Sequence, residues 1–370
     1  MTTVLHVIES LSEYGGTPRL LLNLVAASAG TGVRHDFFVY QPSPLRDEFA
    51  AHGATVQEIG SRSLSAILSE VWGAIRRVRP DVIATHFSRP LIAGFVVASC
   101  ARLPLVHHEH SSPAYRRGLA KCLATTLEAR AEAVICVSEH IAVAVRDDLR
   151  GAPARVIPWY PPVAARLQER SRASVRSELG LDDAAPLIAH VGGMIPERDQ
   201  ATLVNALPLL LRAHPSAVLV MVGEGPCRRS LEDLAALLRV EKSIRFMGYS
   251  NHVGDLMAAC DVYVNPTRDE GLGLAVVEAM LAGAPVVVTD AGAHPEYVTD
   301  QLDGRLVPPG DSTSLAAAIL ATLSDSGTRL RAFRAKQRAE ARFGPSHAAW
   351  NYAEIIRSVC SRTAVPPLQL

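Results

Sequence analysis

The chain has 370 residues, 48% of them hydrophobic, and its 37 basic and 37 acidic side chains cancel. That length suits two domains of ordinary size, and the charge balance excludes the basic footprint of a dedicated nucleic-acid binder. Cys100, Cys122, Cys136, Cys227, Cys260 and Cys360 form no C-x-x-C pair, which argues against a clustered zinc site and for buried, reduced thiols.

The chain opens into an apolar strand, Val4 to Ile8, with no basic leader. Its longest apolar run, Leu91 to Ala101, is shorter than the ~20 residues of a membrane span, so a cytoplasmic protein is expected. Short β-branched runs then alternate with amphipathic stretches of helical period, the pattern of βαβ units around a parallel sheet. Strands are predicted over 4–8, 36–40, 81–85, 105–107 and 134–137. The proline-rich Pro158-Trp159-Tyr160-Pro161-Pro162 suits neither helix nor central strand and reads as a stiff linker. Beyond it, strands are predicted over 187–191, 217–222, 244–247, 262–265 and 285–289. The expected fold class is α/β, with two Rossmann-like doubly wound domains (1–165 and 166–345) facing across a cleft. Ligands in such folds sit beyond the carboxyl ends of the strands. A final helix over 345–360, with Trp350, Ile355, Ile356 and Val359 as its apolar stripe, leads into a tail. Segment 346–370 is expected to pack back on the first domain.

Strand one ends in Ser12-Glu13-Tyr14-Gly15-Gly16-Thr17-Pro18. Thr17 predicts a helix N-cap and Pro18 its first turn. Gly15 and Gly16 allow a phosphate to approach backbone N–H groups, although a plain tight turn fits equally well. No G-x-G-x-x-G fingerprint is present. The second half repeats the device in Val191-Gly192-Gly193-Met194, with Arg198 as the nearby cation, and Gly223-Glu224-Gly225-Pro226 closes a later strand.

The richest stretch runs from Asn265 to Met280. Glu270 stands in a loop, Gly271-Leu272-Gly273-Leu274 open a helix, and Glu278 follows eight positions after Glu270, one to two turns inside that helix. Accessible amides and the positive end of the helix dipole favour an anion there. An ionised carboxylate accepts two hydroxyl hydrogen bonds side by side, as a vicinal diol of ribose or hexose offers. A buried helix acid is the plainer alternative for Glu278.

This E-x7-E spacing, with glycine after the first acid and Glu-Ala-Met around the second, resembles the motif of glycosyltransferase family 4, retaining enzymes of GT-B architecture. Ala282-Gly283-Ala284-Pro285-Val286-Val287, Gly292 with Glu296, Asp303 to Asp311, Val222 to Pro226 and Phe246-Met247-Gly248 follow the family's order. The resemblance is continuous over roughly 187–311 and looser over 1–165. It implies a hexosyltransferase acting on a nucleotide-diphosphate sugar of UDP or GDP type, without cofactor or metal. The implied acceptor is a glycan or lipid-linked hydroxyl compound, in cell-surface polysaccharide, glycolipid or glycoconjugate biosynthesis.

By position, Glu278 would hold the donor ribose and Glu270, with the amides of Gly271 to Leu274, the donor sugar. Met247 would line the base, and Gly15, Gly16, Gly192 and Gly193 would face the diphosphate. A histidine near the donor sugar is implied within Val106 to Ser112. His110 fits best because Ser111-Ser112 follow it, and His108 is second. His86 is a candidate for the acceptor. Three positions depart from the family: Gly193 where Arg is usual, Arg198 where Lys is usual, and Trp159-Tyr160 where Asn-Gly is common. Only Lys121, Lys242 and Lys336 are lysines here, so Arg198 reads as a replacement that keeps the phosphate charge. Tyr115-Arg116-Arg117, Lys121, Arg76, Arg77 and Arg79 suggest either a solvated helix face or peripheral contact at the inner membrane surface. An inactive sugar-nucleotide-binding relative and a nucleotide-sugar epimerase of the same architecture are the rival readings.

Overall fold

The computed structural model describes residues 1–12, 15–60, 63–152, 154–166 and 168–364. Two compact units emerge, Met1–Val163 with Arg342–Leu370, and Ala164–Ala341. The first is built on β1 (Thr2–Ile8), β2 (Val33–Val39), β3 (Thr55–Glu58), β4 (Val82–His86), β5 (Leu105–Glu109), β6 (Ala133–Cys136) and β7 (Arg155–Pro158). These form one parallel sheet in the order β3-β2-β1-β4-β5-β6-β7. The second unit has β8 (Leu187–Val191), β9 (Val218–Val222), β10 (Ile244–Phe246), β11 (Val262–Asn265), β12 (Val286–Thr289) and β13 (Arg305–Val307). Their order is β10-β9-β8-β11-β12-β13, again parallel. Both orders reverse at the first strand of the unit, which is where doubly wound sheets open a crevice for ligands.

Central strands were legible because a parallel sheet is covered on both faces and its strands read as unbroken apolar runs. Val218 to Val222 is buried throughout. The unpredicted strands β3, β7 and β13 lie on sheet edges, where Thr55, Arg155 and Arg305 are tolerated and no apolar run is needed.

Several local expectations are corrected. The first helix spans Gly16–Ala27 with Gly15 as N-cap, so Thr17 lies inside it rather than capping it. A Cβ on residue 15 would stand 2.8 Å from Pro18 Cδ, so the entry turn itself selects glycine. Glu13 and Tyr14 of that loop fall outside the described residues. The proline-rich segment is not a free linker: Trp159 is buried, its Nε1 donates to the Ala348 carbonyl at 2.9 Å, and its ring lies 4.9 Å from Tyr352. Proline density stiffened the segment, but the indole makes it core. The last helix, Pro345–Ser361, turns Tyr352, Ile355, Ile356 and Val359 inward and leaves Trp350 exposed, so the apolar stripe is shifted from the expected one. Residues 365–370 of the tail lie outside the described residues. Of the thiols, Cys136 and Cys260 are buried and Cys227 is half-buried, whereas Cys100, Cys122 and Cys360 are exposed on helix surfaces.

Candidate functional site

In the second unit the loops after β8, β9 and β11 interlock. The Gly192 amide donates to the Val222 carbonyl and the Met194 amide to the Glu224 carbonyl, both at 2.9 Å. Gly223 has φ +134, and a Cβ there would fall 2.1 Å from the Gly192 carbonyl; one on Gly225 would fall 2.3 Å from that of Met194. Two backbones touch here, and no side chain fits between them. At Gly193 the nearest atom to a Cβ would be 3.8 Å away, so this position does not demand glycine. Its carbonyl is held by Gln200 Nε2 at 2.9 Å, with His190 behind. Met247 follows β10 with its side chain half exposed, and Arg228 beside it pairs with Glu224 and lies over the Phe246 ring.

The turn Pro196–Arg198 is tied to the loop after β11. The Thr267 hydroxyl and the Arg268 amide both donate to the Glu197 carbonyl at 2.9 Å. Arg268 Nε also donates to Asp199, which holds a left-handed φ of +45. These links bring the Arg198 guanidinium onto the Glu270 carboxylate, which is itself buried. Gly292 packs on the backbone of Glu270, where a Cβ would meet its carbonyl at 2.3 Å, and the Ala293 amide donates to that carbonyl at 3.0 Å.

Gly273, at φ +81, caps the helix Leu274–Leu281. Tyr297 Oη fills the space a side chain would need there and donates to the Leu272 carbonyl at 2.7 Å. The Val276 and Val277 amides turn back to the Gly273 carbonyl at 2.8 and 3.2 Å, so the Leu274 and Ala275 amides are those left without an intrahelical acceptor, an anion-favouring terminus beside Glu270. Glu278, in the next turn, is buried and accepts from Arg166 Nε at 2.7 Å.

Sequence reasoning missed Arg166, Tyr297, Gln200 and His294. His294 Nδ1 lies 3.0 Å from the Thr289 carbonyl, which can only accept, so the proton sits on Nδ1. Its Nε2 is buried without a partner, and burial holds the ring's pKa down to about 4. The nearby Gly292 with Glu296, in the order the family shares, was the local signal for it. Arg166 is far from Glu278 in sequence and had none.

In the first unit, Gly15 and Gly16 follow β1 at the start of their helix, and His110 follows β5. His110 Nε2 is 3.0 Å from His86 Nδ1, and His86 Nε2 is 2.9 Å from His6 Nδ1. His86 is fully buried with both ring nitrogens engaged, so it cannot present itself to an acceptor; that expectation is corrected. His108 faces Tyr352 Oη at 3.1 Å, and its Nδ1 is buried without a partner. One ring nitrogen each of His86, His108 and His110 lies within 4.8 Å of the others.

On the other face of β5, His107 bonds the Thr85 hydroxyl at 2.9 Å and lies 3.8 and 3.6 Å from Glu109 and Glu128. Arg116 bridges both acids. Arg116 is therefore an internal charge that locks the loop after β5 and not part of a basic surface. Lys121 pairs with Asp148 at 2.9 Å.

Comparison with known proteins supplies context for this geometry. The model of the family described as Glycosyltransferase Family 4 matches residues 14–166, and that described as Glycosyl transferases group 1 matches 185–325. An uncharacterized glycosyltransferase of Methanocaldococcus jannaschii is 34% identical over 46% of this chain and 44% of its own length. The D-inositol 3-phosphate glycosyltransferase of Nocardia farcinica is 28% identical over 66% of this chain and 59% of its own. That of Corynebacterium efficiens is 26% identical over 87% and 85%. In the first two matches the chain spans about half the relative's length. Among solved structures, Anabaena Alr3699/HepE in complex with UDP superposes with a TM-score of 0.83 at 25% identity, covering 97% of this chain and all of that one.

Proposed function

We propose, from the premise that this chain belongs to the family-4 glycosyltransferases of GT-B fold, that it transfers a hexose-type sugar from a nucleotide-diphosphate donor to a hydroxyl acceptor with retention of configuration. The observation that carries this is the loop holding Glu270, the capped start of the Leu274–Leu281 helix and Glu278 in one continuous, pinned segment. Glu278 would accept both hydroxyls of the donor ribose, its carboxylate set by Arg166. Glu270 would accept hydroxyls of the sugar. Amides near Gly271 to Leu274, the glycine loop Gly192-Gly193 and Arg198 would take up charge on the departing diphosphate, and Met247 would flank the base. In the first unit, Gly15, Gly16 and His110 are the proposed substrate contacts. Backbone donors and a guanidinium suffice for leaving-group stabilisation, so the reaction is proposed to need no metal.

The UDP complex of the Anabaena protein favours a uridine donor over a guanosine one. The acceptor is proposed to be a glycan or a lipid-linked hydroxyl compound. No described helix is long and apolar enough to cross a membrane. The exposed Leu119 and Leu123 beside Arg117 and Lys121 would serve peripheral contact instead.

Screening nucleotide sugars by thermal shift, then assaying the best one with an acceptor panel in excess chelator, tests the proposal. The expected result is a raised Tm with one donor and acceptor-dependent, chelator-resistant release of the nucleoside diphosphate with the α-anomeric product. Conversion of the donor alone would identify an epimerase, and binding without turnover an inactive relative. At the ribose, Glu278→Gln and Arg166→Ala should each weaken donor binding about tenfold or more, since hydrogen bonds to charged groups contribute ~1.5–3 kcal/mol. Unchanged calorimetric affinity in both would remove Glu278 from the ribose.

A further inference from the structure

Four histidines of the first unit cross its sheet in a single diagonal. Val4 pairs with His35, His6 with Ala84, and His86 with His108. His6 is two residues beyond the partner of His35, His86 two beyond the partner of His6, and His110 two beyond the partner of His86. A step of two keeps a strand residue on the same face, so all four rings lie on one side and advance toward the carboxyl edge by ~6–7 Å per strand. The rings stack at 5.2, 5.2 and 5.3 Å between centroids. Their nitrogens meet in series: His35 Nδ1 to His6 Nε2 at 2.9 Å, His6 Nδ1 to His86 Nε2 at 2.9 Å, and His86 Nδ1 to His110 Nε2 at 3.0 Å. At the far end, His35 Nε2 is 2.9 Å from Ser28 Oγ. Ser28 and His35 line a surface cavity of about 510 Å³ with Val25, Gly32 and Ala54.

A neutral imidazole has one N–H and one bare nitrogen, so such a row can be ordered in either of two directions. Ser28 breaks the tie. Its Oγ lies 2.7 Å from the Leu24 carbonyl, which can only accept, and its own amide bonds the Val25 carbonyl instead. The single hydroxyl proton therefore points at Leu24, and Ser28 Oγ accepts from His35 Nε2–H. It follows in turn that His35, His6, His86 and His110 all carry their proton on Nε2. The opposite order would set the Ser28 oxygen against the Leu24 carbonyl with no proton between them, a preference of roughly tenfold or more. Burial keeps the three inner rings neutral, as the row requires.

We infer that Ser28, His35, His6 and His86 are a tautomer-ordering relay whose product is a bare Nδ1 on His110, available to accept a hydrogen bond from a substrate hydroxyl. Ser28, His35, His6 and His86 are positioning residues; only His110 touches substrate, which rests on the functional reading above.

The test is long-range ¹H–¹⁵N correlation on the full chain labelled with ¹⁵N-histidine, with assay of the same samples. Wild type is expected to show all four rings as the Nε2–H tautomer. Ser28→Ala should convert His110 to a tautomer mixture and lower kcat several-fold with KM little changed, and Ser28→Thr should restore both. An Nδ1–H or mixed His110 in wild type overturns the relay without any variant, so a misfolded Ser28→Ala leaves the test intact. Stoichiometric metal in the purified protein, with metal-shifted nitrogens on His86, His108 and His110, overturns it as well. An ordered wild-type row with a His110→Gln enzyme of full turnover upholds the relay and removes His110 from the substrate.

Discussion

Acidification from pH 7 to 5 is expected to unfold the first unit before the second. Burial holds His6, His35, His86, His107, His108 and His110 below the ordinary 6.5, to about 3 for His35 and His110 and about 4 for His107. In the second unit only His190 and His294, both near 4, carry such a shift. Above pH 6.5 these rings are neutral in both folded and unfolded chains, and the fold has its full stability. Below 6.5 the unfolded chain binds protons that the folded chain refuses, so stability falls until the folded pKa is reached. Each such histidine costs ~1.4 kcal/mol per pH unit in that window. His35, His107 and His110 alone cost roughly 6 kcal/mol by pH 5, with His6, His86 and His108 acting in the same direction, against the ~5–15 kcal/mol that holds a typical domain. The carboxylates held low, Asp255, Asp311 and Asp325, belong to the second unit and begin to matter only below their ordinary 3.8. All three tryptophans, Trp72, Trp159 and Trp350, lie in the first unit. Tryptophan fluorescence should therefore shift at a higher pH than the last loss of helical circular dichroism. Coincident transitions below pH 4 would refute the histidine account.

Arg198→Ala should lower turnover by ~10²–10³-fold, the usual cost of one lost transition-state donor. The structure adds a second consequence. Arg198 neutralises the buried Glu270, and removing one partner of such a pair costs ~3–5 kcal/mol because it strands the other charge. The variant should therefore also melt lower. Arg198→Lys keeps charge but loses the planar fork, so it should recover most stability and only part of kcat. The double variant Arg198→Ala, Glu270→Gln separates the two effects: stability returns toward wild type while turnover does not. Wild-type turnover in Arg198→Ala would end its assignment to the phosphate.

Elements whose cause is local were readable in the chain. β8 and β11 were predicted with their observed bounds, because a covered parallel strand leaves an apolar run flanked by turn residues. The Glu270–Glu278 segment was visible because loop, helix start and acid succeed one another within two helical turns. The glycines at 223 and 225 were legible as a strand-end loop and Gly292 only as part of the family's order, but the cause of all three is contact with another backbone, which no single segment contains. Thr17 misled because a threonine before a proline is a good cap in isolation, while the Pro18 ring already fixes the turn at Gly15.

The histidines divide the same way. Sequence placed His6 in a predicted strand, His35 just before one and His86 and His110 after one, yet a strand's parity becomes a shared face only once its register with its neighbours is known. Sequence by itself thus determined the fold class, the family and the paired acids, since each is carried by patterns short along the chain. Tertiary structure alone decided which charges are paired. It put Arg198 on Glu270, Arg166 on Glu278 and Arg116 between two internal acids, and it set four rings in line, because such contacts join residues from 7 to 112 positions apart at spacings that leave no periodic trace.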